Sequence, residues 1–172
     1  MSLAVFLSPN DTLSKEIIRW KKIVNERFCD SYYCDHPPHS TIINIEVENY
    51  TLAIEDIKKA VKGYKPFDII INKKDVFWDD ILTGGHTIYF GIKKNPDLHL
   101  LQKIIAKSLR NHLIKRPAST PVKNNQILYN SYKNYGSPFI GKHWLPHFTI
   151  ASIETSKNDS FLQEFLNDDI LE

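Results

Sequence analysis

Strand-like and helix-like segments follow one another in an irregular order along this chain. Apolar residues recur at helical spacing in three segments, at 13–28, 51–62 and 97–113, and a short closing helix is predicted around 161–165. Strand-type runs rich in β-branched and aromatic residues lie at 4–7, 41–47, 67–72, 76–78, 87–92 and 147–153. This order lacks the strict strand and helix alternation of a doubly wound parallel sheet, so it predicts an α+β fold with antiparallel sheets.

The size and composition of the chain suit one globular domain. With 172 residues, 42% of them hydrophobic and 24% charged, it can bury a core but is short for two ordinary domains, so we expect residues 1–172 to form one domain. The net charge of +2 argues against a protein that coats duplex nucleic acid and is compatible with a small anionic ligand. No apolar run approaches the length of a bilayer and no signal peptide opens the chain, which predicts a cytoplasmic protein without membrane association.

Residues 116–141 contain three of the nine prolines and show no sustained periodicity. They therefore predict a long irregular loop, which in a compact domain is usually functional or mobile.

One five-residue pattern occurs twice, as PHSTI and as PHFTI, and each copy stands where a strand is predicted to begin. Alternate side chains of a strand point to the same face, so His39 should project beside Thr41. In the same way, His147 should project beside Thr149. A single copy would be explained by a histidine at a strand start and a threonine that favours strands. Two copies with shared flanking residues indicate a paired catalytic motif.

Cleavage of a phosphodiester without a metal explains these residue types. A base must take the proton of the attacking group, and an acid must protonate the leaving oxygen. Histidines can fill both roles near neutral pH, which assigns acid and base catalysis to His39 and His147. Hydroxyl donors can meet the charge on the nonbridging phosphoryl oxygens, which assigns substrate binding to Thr41 and Thr149. This chemistry requires neither a metal nor a cofactor.

The paired His-x-Thr motifs resemble those of the 2H phosphoesterase superfamily, which includes RNA 2′,5′-ligase-like proteins and cyclic nucleotide phosphodiesterases. Residues 66–71 and 87–92, followed by a leucine-rich helix, are similar to the middle section of that family. The resemblance implies a bilobal, pseudo-twofold α+β domain with a central cleft between two antiparallel sheets and helices outside. It also implies that the four motif residues act on the substrate. The segment 117–141 and the HPP sequence before the first motif depart from the family pattern at the predicted edge of the cleft.

Aromatic residues interleaved with lysines lie near the second motif, an arrangement that suits stacking on a nucleobase beside a phosphate. We predict that Trp144 and Phe148 contact the substrate in this way. Phe148 alternates with the motif side chains, so packing on the far side of the sheet is the competing interpretation.

The predicted function is metal-independent hydrolysis of 2′,3′-cyclic or 2′,5′-linked phosphodiesters in nucleotides or at RNA ends. The same histidine pair could also run RNA 2′,5′-ligation, the reverse of cleavage, and a module that binds RNA or nucleotides without turnover is a further alternative. We expect a nucleotide or RNA terminus as the partner, no obligate protein partner and a monomer.

A zinc site is the rival class of function. Two cysteines and four histidines have passable ligand spacing, although zinc would leave the repeated threonines unexplained. In the absence of a secretion signal we expect both cysteines to remain reduced. The candidate zinc ligands are Cys29, Cys34, His36, His39, His143 and His147.

Overall fold

The computed structural model describes residues 1–29 and 31–169, and within them the fold is α+β, with six α-helices and two antiparallel sheets. This confirms the predicted fold class. The strands are β1 (Ser2–Leu7), β2 (Ser40–Glu46), β3 (Ile71–Phe77), β4 (His86–Ile92) and β5 (His147–Ile153). The helices are α1 (Asp11–Arg27), α2 (Tyr50–Val61), α3 (Pro96–Ser108), α4 (Thr120–Asn124), α5 (Gln126–Tyr135) and α6 (Ser160–Asn167). None of the described helices is both long enough and apolar enough to cross a membrane.

The chain divides into two compact units, each built from three separate segments of sequence. Unit 1 takes Met1–Phe6, Thr41–Asp68 and Lys94–Leu145. Unit 2 takes Leu7–Ser40, Ile69–Lys93 and the described chain from Pro146 onward. The predicted single domain with a central cleft stays a prediction.

Unit 1 combines most of the two-stranded sheet β1-β2 with helices α2 to α5. The amide of Gln102, a fully buried residue of α3, organises its interior. Its nitrogen donates to the carbonyl oxygens of Ile42 and Phe139, each at 3.0 Å, and its oxygen accepts from the backbone N–H of Gly141 at 2.9 Å. Because the Gln102 amide is buried, these bonds satisfy its polar atoms and hold α3 against β2 and against the chain that follows α5.

Unit 2 packs α1 and α6 with a three-stranded antiparallel sheet in the order β3-β4-β5. Trp20 of α1 meets Phe161 and Phe165 of α6 edge to face, with ring centroids 5.9 and 5.0 Å apart. The central strand β4 is buried along its whole length. The core of unit 2 therefore fixes the position of the strand that carries the second motif.

Helix starts follow local signals in the sequence. The side chains of Asn10, Asn49, Asn95 and Asn125 each accept a hydrogen bond from a backbone N–H in the first turn of the helix that follows. This is the usual N-cap arrangement. The predicted helices at 13–28 and 51–62 and the strand at 147–153 are confirmed, the last with identical bounds.

The prediction for residues 67–78 is wrong. Residues 64–70 have no regular structure, and a single strand, β3, runs through the polar residues 73–75 that were expected to separate two strands. In the described sheet β3 is an edge strand that pairs with β4 alone. An edge strand tolerates polar side chains because only part of its surface packs against other elements.

The predicted irregular loop at 116–141 is also wrong, because it contains α4 and α5. Pro121 lies in the first turn of α4, where a missing N–H leaves no hydrogen bond unmade. The positive φ of Gly136, +68°, ends α5.

Helix α3 is shorter than the predicted segment 97–113. It ends at Ser108, and a 3₁₀ turn follows at Arg110–His112. Its N-cap is Asn95, and Asp97 lies within the first turn.

Candidate active site

The second motif opens β5, and its side chains alternate as the sequence predicts. His147 and Thr149 are half-buried, whereas Phe148 and Ile150 between and after them are buried. On the neighbouring strand β4, Gly91 lies opposite His147 and Tyr89 lies opposite Thr149. The imidazole and the hydroxyl therefore share one accessible face of the sheet in unit 2.

A β-bulge follows this pair of side chains. Ile88 pairs with Ala151 and Tyr89 pairs with Thr149, so Ile150 is an extra residue on β5. Bulges bend a strand and re-aim its side chains, and they are common beside active sites. The bulge ends the regular alternation after Thr149, and residues 150–153 are all buried.

Two aromatic rings hold the His147 imidazole. The rings of Phe77 and Tyr89 stack with centroids 4.1 Å apart, and the imidazole meets them at angles of 81° and 61°, with centroid distances of 5.0 and 5.1 Å. Such edge-to-face contacts are favourable and directional. They restrict the rotation of the His147 ring.

A partly buried hydrogen bond fixes the ring of Tyr89, one of the two rings beside His147. The Tyr89 hydroxyl donates to Oδ2 of Asp75 at 3.0 Å. Burial and the negative charge of Asp75 raise the pKa of Tyr89 well above its ordinary value, so the hydroxyl stays protonated. Tyr89 is therefore a neutral support for His147.

Lys73 places a positive charge on the same sheet face. Burial opposes ionisation of Asp75, but hydrogen bonds from Lys73, from the backbone N–H of Val76 and from Tyr89 outweigh it and lower the pKa of the carboxyl. A Cβ on Gly91 would come within 2.7 Å of Lys73 Cγ, so glycine leaves room for the lysine stem across the sheet from His147. Sequence reasoning missed Lys73 and Asp75 because it placed residues 73–75 in a break between two strands.

The first motif has a different setting. His39 is half-buried and precedes β2, and its Nδ1 lies 2.6 Å from the carbonyl oxygen of Pro37. A carbonyl only accepts hydrogen bonds, so Nδ1 carries the proton and a neutral His39 has its basic lone pair on Nε2. The imidazole of His36 lies 6.2 Å away, centroid to centroid.

Thr41 lies in unit 1, with its side chain exposed near the start of β2. The carbonyl oxygen of Thr41 accepts a hydrogen bond from the indole Nε1 of Trp144 at 3.2 Å. Trp144 is only 5% exposed, and its ring also meets His99 at 5.4 Å. In this position Trp144 supports the backbone of the first motif.

The predicted aromatic contacts to substrate gain no support from these positions. Phe148 is 3% exposed and lies opposite the buried Phe90 in the sheet register. Neither Phe148 nor Trp144 presents an exposed ring face on which a base could stack. Their role in substrate binding stays a prediction.

The zinc interpretation gains no geometric support either. Within residues 1–29 and 31–169, no three His, Cys, Asp or Glu side chains are arranged to hold a metal ion. Cys29 is exposed and Cys34 is buried, and both are free thiols. The Cys34 thiol donates to the carbonyl oxygen of Lys21 at 3.1 Å, and burial raises its pKa, which disfavours the thiolate that zinc would need.

The α+β fold with antiparallel sheets and the two His-x-Thr motifs define the class of 2H phosphoesterases. Residues 9–170 match the 2′-5′ RNA ligase superfamily, a range that includes both motifs. The chain belongs to this superfamily. A search of curated proteins gave no match.

Proposed function

We propose that the chain is a metal-independent phosphodiesterase that hydrolyses 2′,3′-cyclic or 2′,5′-linked phosphodiesters of nucleotides or RNA ends. His39 and His147 are the acid and base, and Thr41 and Thr149 donate hydrogen bonds to the phosphoryl oxygens. The observation that carries the proposal is the repeated motif, one copy of which sets an oriented imidazole and a hydroxyl side by side on an accessible sheet face.

The proposed step needs one neutral and one protonated imidazole. The neutral imidazole takes a proton from water as the water oxygen bonds to phosphorus. The bond from phosphorus to a ribose oxygen breaks, and the protonated imidazole gives its proton to that oxygen. Because Nδ1 of His39 donates to the carbonyl oxygen of Pro37, Nε2 is the nitrogen through which His39 would transfer a proton. The bond that breaks decides which histidine is the acid.

The electrostatics of unit 2 support an anionic substrate. Lys73 lies on the sheet face that carries His147 and Thr149, and its ammonium lies 5.8 Å from the centroid of the Tyr89 ring. A positive charge on this face would attract a phosphodiester. Asp75 offsets part of that charge, so the attraction is local.

RNA 2′,5′-ligation is the second candidate, and membership of the 2′-5′ RNA ligase superfamily is compatible with both reactions. In that reaction a ribose hydroxyl replaces water as the attacking group, and the same pair of histidines transfers the protons. Binding of RNA without turnover would leave the two histidines without a chemical role.

The decisive experiment measures hydrolysis of 2′,3′-cyclic nucleotides and 2′,5′-linked oligoadenylates in excess EDTA. Wild type is compared with His39→Ala and His147→Ala, and His112→Ala serves as the control because His112 pairs with Asp56 in unit 1, away from both motifs in sequence. Loss of turnover in both motif variants and not in the control supports the proposal. Full turnover in either motif variant overturns it.

A parallel reaction with RNA ends that carry a 2′,3′-cyclic phosphate and a 5′-hydroxyl tests ligation. Joined product without hydrolysis would favour the ligase over the hydrolase. Tight binding of the RNA with neither product would favour the binding module.

A further inference from the structure

Lys21 is a buried lysine that contacts the segment before the first motif and the last residue of the second motif. Its side chain rises from α1 and the residue is only 7% exposed. The ammonium donates to the carbonyl oxygen of Tyr33 at 2.5 Å and to that of Ile150 at 2.7 Å. Tyr33 precedes His39 by six residues, and Ile150 directly follows Thr149. All of these residues belong to unit 2.

The Ile150 carbonyl belongs to the extra residue of the β5 bulge. An extra residue is unpaired in the ladder, and a buried carbonyl without a partner is unfavourable. The Lys21 ammonium supplies that partner. Lys21 therefore stabilises the bend that ends the strand segment carrying His147 and Thr149.

The Tyr33 carbonyl belongs to a strained turn. Tyr33 has a φ of +68°, a conformation that non-glycine residues rarely adopt and that persists only when neighbouring contacts hold it. The adjacent residue Tyr32 accepts a hydrogen bond from the backbone N–H of Ser152 at 2.9 Å. The segment before His39 is thus attached to β5 in two places, and Lys21 provides one of them.

A comparison with the other buried lysine of unit 2 shows how unusual Lys21 is. Lys74 pairs with the carboxylate of Asp168 and lies over the ring of Trp20. Lys21 makes no salt bridge to any described residue, and the nearby Cys34 and Asp35 only partly offset the effect of burial, which lowers its pKa. Burial of an ammonium without a carboxylate partner is costly, so the stability gained from the two carbonyl contacts does not by itself explain a cation here.

We propose that Lys21 is a positioning residue for the two-histidine site. By holding the Tyr33 and Ile150 carbonyl oxygens on one ammonium, it fixes the segment before His39 relative to the strand that carries His147 and Thr149. The inference rests on the proposed function for its catalytic consequence and on the contacts of Lys21 for its structural one.

The test compares Lys21→Met with Lys22→Met. Methionine keeps most of the side-chain volume and removes the donors, and Lys22 is the matched control because it is the next residue of α1 and is exposed. We expect Lys21→Met to lower kcat by about a hundredfold, since small displacements of catalytic groups have effects of that size. KM should change by less than about threefold, because the substrate contacts themselves remain. Lys22→Met should match wild type in both constants.

A second readout does not depend on turnover. The imidazole proton signals of His39 and His147 in NMR spectra should shift in Lys21→Met and stay in place in Lys22→Met. If wild type cleaves neither diester, the proposed function fails and this readout still decides whether Lys21 positions the two rings. Unchanged imidazole signals in a folded Lys21→Met protein, or an unchanged kcat, would overturn the inference.

Lys21→Arg carries the test if Lys21→Met does not fold, because arginine keeps its charge at every pH used. Burial lowers the pKa of Lys21 to about 8, so the wild-type ammonium loses its charge, and its carbonyl contacts weaken, as the pH rises above that value. Deprotonation of the acid histidine lowers kcat at alkaline pH in either protein, so the readout is the ratio of kcat in Lys21→Arg to kcat in wild type. We expect this ratio to rise above pH 8 while circular dichroism stays constant. A ratio that does not change with pH would overturn the proposal.

Discussion

The two copies of the motif share their letters but differ in how the protein holds the histidine. His39 lies before its strand, and a backbone carbonyl fixes its Nδ1. His147 lies within its strand, and two aromatic rings restrict its orientation. The residues between histidine and threonine, Ser40 and Phe148, are both buried. The repeated motif therefore specifies the reacting groups, whereas the contacts that orient them differ between the two copies.

Removal of each histidine in turn tests whether the two copies of the motif act in one chemical step. If the two imidazoles are acid and base of one step, His39→Ala and His147→Ala should each lower kcat by about 10²–10⁴. The double variant should lose little more than either single one, since groups that act as a unit are not additive. Steady-state hydrolysis of 2′,3′-cyclic nucleotides measures this. Additive losses would show that the two histidines act independently.

The threonines test whether the copies are equivalent. Thr41→Ala and Thr149→Ala should each reduce kcat by about 10²–10³, the effect of losing one donor to a charged transition state. Thr→Ser variants, which keep the hydroxyl, are the controls and should retain most activity. Full activity in both alanine variants would remove the phosphate-binding role from these residues.

The aromatic wall should matter only to the second copy. Tyr89→Leu removes the ring that meets His147 and should lower kcat by about tenfold, with the imidazole signal of His147 displaced more than that of His39. Tyr89→Phe keeps the ring and should retain activity, while the loss of its hydrogen bond to Asp75 lowers the free energy of unfolding by about 1–3 kcal/mol. Urea denaturation measures the second effect. An equal loss of activity in both variants would shift the role from the ring to the hydroxyl.

The smallest expected effect is a change of stability with pH that arises from Lys21. This residue contacts the segment before His39 and strand β5. Its pKa is about 8 in the folded chain and 10.5 in an unperturbed lysine, so between these values the unfolded state binds more protons. The contribution of Lys21 to the free energy of unfolding should therefore become more favourable as the pH rises from 8 to 10.5. Denaturation of wild type and Lys21→Met over this range should show the difference between them move in favour of wild type. The opposite trend would mean that the ammonium is stabilised by its surroundings.

Local chemistry made part of the fold predictable. Strand β5 is rich in apolar and β-branched residues and follows a proline, so its bounds were predicted correctly. Asparagine side chains beside apolar periodic segments mark helix starts, as Asn10 and Asn49 show. These features depend on neighbours within one turn or one strand, which the sequence displays directly.

Other elements depend on partners that are distant in sequence. Polar residues 72–75 form a strand because β4 provides the hydrogen bonds and the sheet edge leaves room for charged side chains. The helices in 116–141 have only five and ten residues, too few for a periodic pattern to repeat over several turns. Intrinsic propensity is too small to predict such elements without their tertiary contacts.

The class of this protein and the four groups proposed to act on a phosphodiester can be read from the amino-acid sequence, because the repeated motif is a matter of residue type and spacing. The way in which those groups are supported depends on the tertiary structure. The wall of Phe77 and Tyr89, the bulge at Ile150 and the two carbonyl contacts of Lys21 join residues from separate strands, loops and helices. Such contacts arise when packing brings distant segments together, and no local pattern of letters records them.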